Sequence, residues 1–274
     1  LLGIRQVVLA VNKMDLVGCD EAVYRDITDV YRGLAQSLGI AEVTCLPVVA
    51  PDGDNVGTRS ARMPWYTGPS LLELLEAADV APRRAGDFRM PVQWVNRPDQ
   101  SFRGYAGTIC GGRVAKGDEV LVQPGVQRAR IARIVTADGD LDSAGDGQAV
   151  TLCLDREIDA SRGDVIADAL RPAPVADQFA CHLLWLGDNA LLPNRAYWLK
   201  LGTRTVNARV MSIKHKVDVN SQAKLAARQL LLNEVGYCTL GLDEEVAFEA
   251  YADNRTLGGF ILIDRQSNAT VACG

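Results

Sequence analysis

A short run of residues, Asn12-Lys13-Met14-Asp15, carries the sharpest chemical signal in the sequence. It directly follows residues 5–11, a β-branched run that predicts a buried strand of a parallel sheet. Open α/β sheets bind their ligands at the carboxyl ends of the strands. An ionised Asp accepts two parallel N–H donors at once, and guanine presents such a pair whereas adenine does not. The residues therefore predict that Asp15 selects a guanine base; the alternative interpretation is a solvated turn.

The tetrapeptide matches the N-K-x-D motif of GTPases, and this resemblance implies roles for the residues beside Asp15. Asn12 is implied to bond the edge of the base and to tie neighbouring loops together. Lys13 is implied to lay its methylene groups along the plane of the base. A predicted strand before the motif, a helix after it and a second apolar run further on favour this interpretation over a plain turn.

The second guanine-binding element of these GTPases is a Ser-Ala-Lys or Ser-Ala-Leu sequence whose backbone amides meet the guanine O6. The aligned residues here are Val49-Ala50-Pro51. Ala50 retains an N–H for the base, whereas Val49 lacks the hydroxyl and Pro51 has no backbone N–H. We therefore expect weaker guanine binding than the family pattern provides. The predicted nucleotide-binding residues are Asn12, Lys13, Asp15 and Ala50.

The sequence has no G-x-x-x-x-G-K-[ST] segment and no Gly-Lys pair, so it lacks a loop of the kind that cradles phosphates. We expect the catalytic half of a GTPase domain, with the magnesium ligands for Mg-GTP, to precede Leu1. The chain taken alone is then predicted to hydrolyse no GTP, and no catalytic residue is assigned. No metal site is predicted either, because His182 and His215 are the only histidines and lack ligand spacing.

Composition narrows the functional classes. Of 274 residues, 48% are hydrophobic and 23% are charged, as in ordinary globular proteins, and the formal net charge is −5. This acidic balance disfavours nonspecific nucleic-acid binding, which needs surplus cations. The sequence has no run of about 18 apolar residues to span a membrane, and its seven cysteines include no C-x-x-C pair. We expect a cytoplasmic protein with reduced thiols and with neither a nucleic-acid nor a membrane partner.

Hydrophobic periodicity predicts an α/β layout for the first part of the chain. A helix is predicted over 20–38, and a second apolar run covers 43–49. The helix residues that share one face by their spacing are Val23, Ile27, Val30, Leu34 and Leu38. Ser70 and Glu73 form the capping-box pattern that opens another helix, to about Asp79. Alternating strands and helices predict parallel strands, as in a piece of a larger α/β domain.

Short strands separated by Gly, Asp and Pro dominate the remainder, beyond a linker at 81–86 and a second break at 171–174. This pattern is typical of small β-barrels. The strands predicted for the first barrel are 89–95, 106–114, 119–123, 127–135, 148–154 and 164–167. Those predicted for the second are 178–186, 196–201, 204–214, 235–241, 246–252 and 258–264, with a helical turn within 221–231.

The predicted fold class is mixed α/β and β: the C-terminal part of a P-loop GTPase α/β domain, followed by two small antiparallel β-barrels. The predicted domains are 1–82, 88–171 and 175–274. This arrangement resembles translational GTPases of the elongation-factor class. Residues 102–117 are similar to the R-G-x-V-x-x-G-R-V-x-x-G run of that class, with an altered start.

A more specific resemblance is to the large, GTP-hydrolysing subunit of bacterial heterodimeric sulfate adenylyltransferases, alone or fused to adenylylsulfate kinase. It extends over nearly the whole sequence. The segments that carry it are 53–56, 63–69, 93–98, 102–107, 132–136, 158–164 and 258–265. The combination of V-N-R-P, F-R-G-Y-A-G and S-R-G-D within these segments is the most specific part.

This resemblance implies an activity in sulfate assimilation. A small partner subunit joins sulfate to the AMP of ATP, and the large subunit hydrolyses GTP and couples the released free energy to that uphill step. Two alternatives stay open: a translation factor whose barrels bind RNA, and a barrel pair that only docks a partner. Several polar residues of the family-like segments either contact the partner or the GTP-binding domain, or hydrogen-bond within turns and strand ends. They are Asn96, Arg97, Arg103, Tyr105, Arg133, Arg162 and Asp164.

Overall fold

The computed structural model describes residues 6–40, 42–78, 86–99, 102–218, 221 and 223–274. The chain divides into two compact units, Leu1–Ala81 and Pro82–Gly274. Strands make up most of the described elements, and helices are few. None of the helices in these ranges is both long enough and apolar enough to cross a membrane.

The first unit is built on two parallel strands, β1 (Gln6–Val11) and β2 (Glu42–Pro47), with helix α1 (Glu21–Ser37) between them in the chain. In the register, the first residues of the two strands pair with each other and so do the last. The carboxyl ends of both strands therefore lie at one edge of the sheet, where the sequence predicts the ligand to bind.

Helix α2 (Leu71–Ala77) confirms the predicted capping box. The Ser70 hydroxyl accepts a hydrogen bond from the Glu73 amide at 3.3 Å, and the Glu73 carboxylate accepts one from the Ser70 amide at 2.7 Å. Two backbone donors that a helix start leaves unpaired are thereby satisfied. The predicted end of this helix, Asp79, lies outside the described residues.

The side of helix α1 that is buried in the first unit lies next to the most apolar side of the helix and does not coincide with it. Its buried positions are Tyr24, Thr28 and Ala35, whereas Ile27 and Val30 of the predicted apolar face are exposed, at 44% and 77%. The residues of both sides have helical spacing, so the periodicity identifies the helix and leaves its packed side open. Tyr24 is drawn inward because its ring joins an aromatic cluster in the loop that precedes α2.

Two barrels of antiparallel strands make up the second unit, and the first barrel contains two separate sheets. The strands of the first are β3 (Arg89–Pro91), β4 (Trp94–Asn96), β5 (Gly104–Thr108), β6 (Arg113–Ala115), β7 (Glu119–Gln123), β8 (Gln127–Thr136), β9 (Gly139–Leu141), β10 (Ser143–Gly145), β11 (Ala149–Leu154) and β12 (Val165–Asp168). The main sheet has the order β3-β12-β7-β8-β11-β5-β4, with β9 beside β8, and β6 pairs with β10. Its interior is filled by side chains that include Tyr105, Ile131, Ile134 and Leu152.

The sheet of the second barrel closes on itself. Its strands are β13 (Val175–Trp185), β14 (Ala196–Leu201), β15 (Arg204–Val217), β16 (Lys224–Leu225), β17 (Val235–Ala247), β18 (Phe260–Asp264) and β19 (Thr270–Cys273). Six of them form the ring β14-β18-β19-β13-β17-β15, closed by pairing of β15 with β14, and β16 extends β15. Closure removes the sheet edges, as in small barrels.

Two expectations for this barrel are wrong. The stretch predicted as a helical turn, 221–231, contains strand β16 and no helix among its described residues, because Lys224 and Leu225 pair with β15 instead. The strand predicted over 246–252 ends with β17 at Ala247. A turn and the short helix α3 (Arg255–Gly258), capped by the Asn254 side chain, follow it.

The two barrels contact each other through a small apolar core and several buried polar groups. The apolar residues are Cys110, Val165, Ala167, Ala173, Ala247 and Leu257. Arg89, only 2% exposed, places its Nε 2.8 Å from Oε1 of Glu249. The Asn254 amide donates to the Cys110 carbonyl at 3.0 Å. Buried charges need such partners, so these contacts fix how the barrels meet.

Candidate guanine-binding site

The N-K-x-D residues form a tight turn at the carboxyl ends of β1 and β2. Lys13 has a positive φ of 63°, and a 3₁₀ helix, Met14–Val17, begins directly after it. The Met14 side chain is buried, and its amide donates to the Val48 carbonyl at 3.3 Å. The Val48 amide in turn donates to the Val11 carbonyl at 2.9 Å. The turn is thus held by the backbone segments that follow both strands.

Asn12 joins this turn to the loop after β2. Its Oδ1 accepts a hydrogen bond from the Lys13 amide at 2.8 Å and another from the Ala50 amide at 3.1 Å. The Oδ1 of Asn12 therefore joins Asn12 to two other predicted site residues, Lys13 and Ala50, although Ala50 is 38 positions away in the chain. The Ala50 N–H, which we expected to face guanine O6, donates to Asn12 in this structure.

Asp15 completes the set. It lies in the first turn of the 3₁₀ helix and is exposed, as is Lys13. Behind it, the Cys19 amide donates to the Met14 carbonyl at 2.8 Å and closes the turn. A carboxylate held on a closed turn beside the sheet edge can accept a pair of parallel N–H donors.

The loop after β2 explains the two departures from the family pattern. Val49 is 1% exposed and packs in the core of the unit, where a serine hydroxyl would lose that packing. Its backbone pairs with Asp54 in both directions at 3.2 Å. Pro51 follows Ala50 in a turn closed by a Gly53 N–H to Ala50 carbonyl bond of 3.3 Å, and proline is favoured at that position.

Residues of the family-like segment 53–56 support this loop, and sequence reasoning assigned them no role. Asn55 is 1% exposed with a φ of 57°. Its amide donates to the Pro47 carbonyl at 2.9 Å, and its Oδ1 accepts from the Ser60 amide at 2.8 Å. A buried Asn with a left-handed backbone that bonds two separate segments fixes the path of the loop. The G-D-N-V pattern was the available signal.

An aromatic cluster from the segment 63–69 packs against the turn that contains residues 12–15 and stabilises it. Trp65 donates from Nε1 to the Cys19 carbonyl at 3.0 Å. Its ring lies 5.2 Å from that of Tyr24 on α1, and Tyr66 lies 6.4 Å from Tyr24. Burial raises the pKa of Tyr24 to about 12, so the phenol stays neutral. The cluster connects the end of the turn to the helix that follows it.

The polar residues singled out in the first barrel bond mainly within that barrel and to the second one. The Tyr105 hydroxyl donates to the Ile158 carbonyl at 3.0 Å, and the Arg103 guanidinium lies 5.6 Å from the Tyr105 ring. Asp164 accepts from the Ser161 amide at 2.8 Å and from Arg204 at 3.1 Å. These contacts are those of turns and strand ends.

The remaining members of that set bond locally as well. Arg97 pairs with Glu157 at 3.1 Å on the surface, and Arg133 bonds Asp140 with two nitrogens at 2.7 and 3.0 Å. The Arg133 guanidinium holds the pKa of Asp140 below its usual value. Arg162 donates to the Gln93 carbonyl, and Asn96 pairs with Gly104 between β4 and β5. The side chains of Arg97, Arg133 and Arg162 thus bond within the chain, whereas the Nε of Arg103 is buried without a hydrogen-bond partner among the described residues.

Comparisons with known proteins agree with this architecture. A family described as GTP-eEF1A C-terminal domain-like matches residues 178–274. A crystal structure of Sup35 complexed with GMPPNP superposes with a TM-score of 0.65 at 26% identity, over 99% of this chain and 69% of that one. The fold is therefore that of elongation-factor-like GTPases: the end of an α/β domain followed by two β-barrels.

Along its whole length the chain is similar to sulfate adenylyltransferase subunit 1 and to the bifunctional enzyme CysN/CysC. It is 57% identical to the CysN/CysC protein of Xylella fastidiosa over 275 residues, which cover all of this chain and 44% of the relative. It is 46% identical to subunit 1 of Laribacter hongkongensis over 276 residues, covering all of this chain and 57% of the relative. The chain thus spans about half the length of these relatives.

Proposed function

We propose that the chain recognises the guanine base of GTP within a sulfate adenylyltransferase GTPase subunit. The observation that carries this proposal is the shared Asn12 oxygen, which joins the Lys13 and Ala50 amides and so assembles the two loops that follow adjacent parallel strands. Whole-length homology to proteins of that name supports the choice of enzyme. We also propose residues 1–82, 88–171 and 175–274 as the three domains involved.

In the proposed site, Asp15 accepts hydrogen bonds from N1–H and the 2-amino group of guanine. Lys13, held in its left-handed conformation at the start of the 3₁₀ helix, lays its methylene groups along the base. The Ala50 amide donates to guanine O6 and at the same time to Asn12 Oδ1, because Asn12 Oδ1 already accepts from this amide in the structure. Sharing one donor between two acceptors weakens each bond, which agrees with the expected reduction in guanine affinity.

The proposed role in the whole protein is energetic coupling. In the whole protein, GTP is bound as Mg-GTP. Hydrolysis of its γ-phosphate changes the conformation of segments that contact the small catalytic subunit. That subunit forms adenylyl sulfate and pyrophosphate from ATP and sulfate. The described residues contribute base recognition and two barrels that contact each other through the buried Arg89–Glu249 pair. Such a barrel pair can transmit a displacement as one body. A fused adenylylsulfate kinase is a further proposed associate, as the sequence resemblance implies.

The test uses the full-length protein with its small subunit and the variant Asp15→Asn. An Asn side chain can accept from N1–H but cannot accept from the 2-amino group, whereas it can donate to the 2-oxo group of xanthine. Losing one of two charge-assisted bonds, about 3 kcal/mol, predicts GDP binding about 100-fold weaker, with xanthosine diphosphate preferred. The matched control is Asp26→Asn, an exposed carboxylate on α1.

Two measurements decide the outcome. Calorimetric titration of GDP and xanthosine diphosphate tests base recognition, and unchanged GDP affinity in Asp15→Asn refutes the proposed site. GTP hydrolysis assayed with ATP present, with and without sulfate, tests coupling. Hydrolysis that rises with sulfate and matches adenylyl sulfate formation supports the proposal. Hydrolysis that ignores sulfate but responds to tRNA points to a translation factor instead.

A further inference from the structure

Three aromatic rings lie side by side on the outer face of the second barrel. His182 on β13 and His215 on β15 both pair in register with Tyr237 on β17, the strand between them. The ring centroids of His182 and Tyr237 are 5.0 Å apart, and those of His215 and Tyr237 are 5.4 Å apart. Cys181 and Cys238, the chain neighbours of His182 and Tyr237, pack on the core, so these two rings face outward, and the His215 ring lies beside that of Tyr237.

Positive charge surrounds these rings. The Lys214 ammonium lies 5.3 Å from the centroid of the Tyr237 ring, a cation–π contact. Burial lowers the pKa of His182, and the neighbouring His215 and Lys224 lower it further. We define the basic aromatic strip as His182, Tyr237, His215, Lys214 and Lys224.

Asp218 and Glu234, which lie next in sequence to strands of this strip, already have partners. Asp218 accepts from the Ser221 amide and hydroxyl at 2.8 and 2.9 Å. Glu234 bonds Lys216 at 2.6 Å through one oxygen and the Leu231 amide at 2.9 Å through the other. Among the described residues, the ion pairs of this barrel include neither Lys214 nor Lys224. Within the described part of the chain, the two exposed ammonium groups of Lys214 and Lys224 therefore form no ion pair, on a protein whose net charge is −5.

The next row of the sheet consists of three apolar residues and Lys224. Leu184 and Val217 both pair in register with Val235, and Val217 also pairs with Lys224 of β16. All three apolar side chains are half-buried. A surface that combines cations, flat rings and aliphatic groups matches a polypeptide that carries both carboxylates and aliphatic side chains.

We propose that the basic aromatic strip docks an acidic segment of a partner protein. Carboxylates of that segment pair with Lys214 and Lys224 and accept hydrogen bonds from the N–H groups of the imidazoles, and its aliphatic side chains lie beside Val235. A protein segment fits better than a nucleic acid, because the acidic chain as a whole repels a long polyanion whereas a few carboxylates need only these few cations. The proposal does not depend on guanine recognition by the first unit.

The experiment measures fluorescence anisotropy of a labelled eight-residue peptide of alternating Glu and Val, titrated with the full chain at about 0.15 M salt. The variant carries Lys214→Gln and Lys224→Gln, both exposed positions. Its matched control is Lys200→Gln, an exposed lysine on β14 of the same barrel. We expect the double variant to bind the peptide about tenfold more weakly, and the control to stay within about twofold of the parent.

Proton NMR of the two histidine rings gives an independent readout, since His182 and His215 are the only histidines in the chain. Peptide binding that shifts both ring signals supports the proposal. A parent chain that does not bind the peptide overturns it, and so does an equal loss in the Lys200→Gln control. Tighter binding of a twelve-nucleotide oligo-dT than of the peptide overturns it in favour of a nucleic-acid surface.

Discussion

Removing the shared oxygen of Asn12 should uncouple the two loops of the proposed guanine site. In Asn12→Ala, the Lys13 and Ala50 amides lose their acceptor at 2.8 and 3.1 Å. A hydrogen bond of this kind contributes about 1 kcal/mol net, within a range of about 0.5–1.5. The Ala50 amide should then exchange its hydrogen about fivefold faster, since about 1.4 kcal/mol corresponds to a factor of ten.

Native-state hydrogen exchange followed by NMR on the 274-residue chain checks this directly. The Val48 and Val49 amides are internal controls, because they donate to Val11 and Asp54 and do not contact Asn12. We expect their exchange rates to stay within about twofold of the parent rates. Unchanged exchange at Ala50 would refute the bridging role. Equal acceleration at Val48 would show general loosening of the unit instead.

Three further perturbations test the barrels. Tyr105→Phe removes a buried hydroxyl bonded to the Ile158 carbonyl at 3.0 Å and should cost about 1 kcal/mol, seen as a melting temperature about 3 °C lower. Glu249→Gln removes the nearer carboxylate of the buried Arg89 guanidinium and leaves that of Asp87 at 3.9 Å; it should cost about 3 kcal/mol in chemical denaturation, more than replacing Arg89 and Glu249 together with Met and Leu. Burial lowers the pKa of His182, so the unfolded chain binds more protons near its ordinary pKa of 6.5, and stability should rise with pH there. In His182→Asn, the free energy of unfolding should rise less steeply between about pH 5.5 and 7.5 than in the parent. An unchanged slope would show that His182 does not cause the rise.

Features that depend on neighbours in the chain were predictable. The capping box at Ser70 and the strands over 119–123 and 196–201 agree with the structure, because caps, alternation and turns are set by short-range geometry. The N-K-x-D residues do follow a strand of a parallel sheet, as the pattern indicated. Their roles in binding guanine stay a prediction.

Features that depend on which elements meet were not predictable. The packed side of α1 is the Tyr24 side, because an aromatic cluster far along the chain draws that ring inward. The stretch predicted as a helical turn pairs as β16 because β15 offers it a partner. Helical spacing and strand propensity say nothing about such long-range partners.

The sequence by itself determined the types of most elements, with 221–231 and 246–252 as exceptions, the order of the α/β piece and the barrels, and the residues suited to a guanine base. Only the tertiary structure decided that one oxygen of Asn12 holds the Ala50 amide, 38 residues away. It also decided that His182, Tyr237 and His215, from three separate strands, form one row. The reason is physical: local patterns set backbone conformation, whereas contacts between distant residues arise from sheet register and core packing.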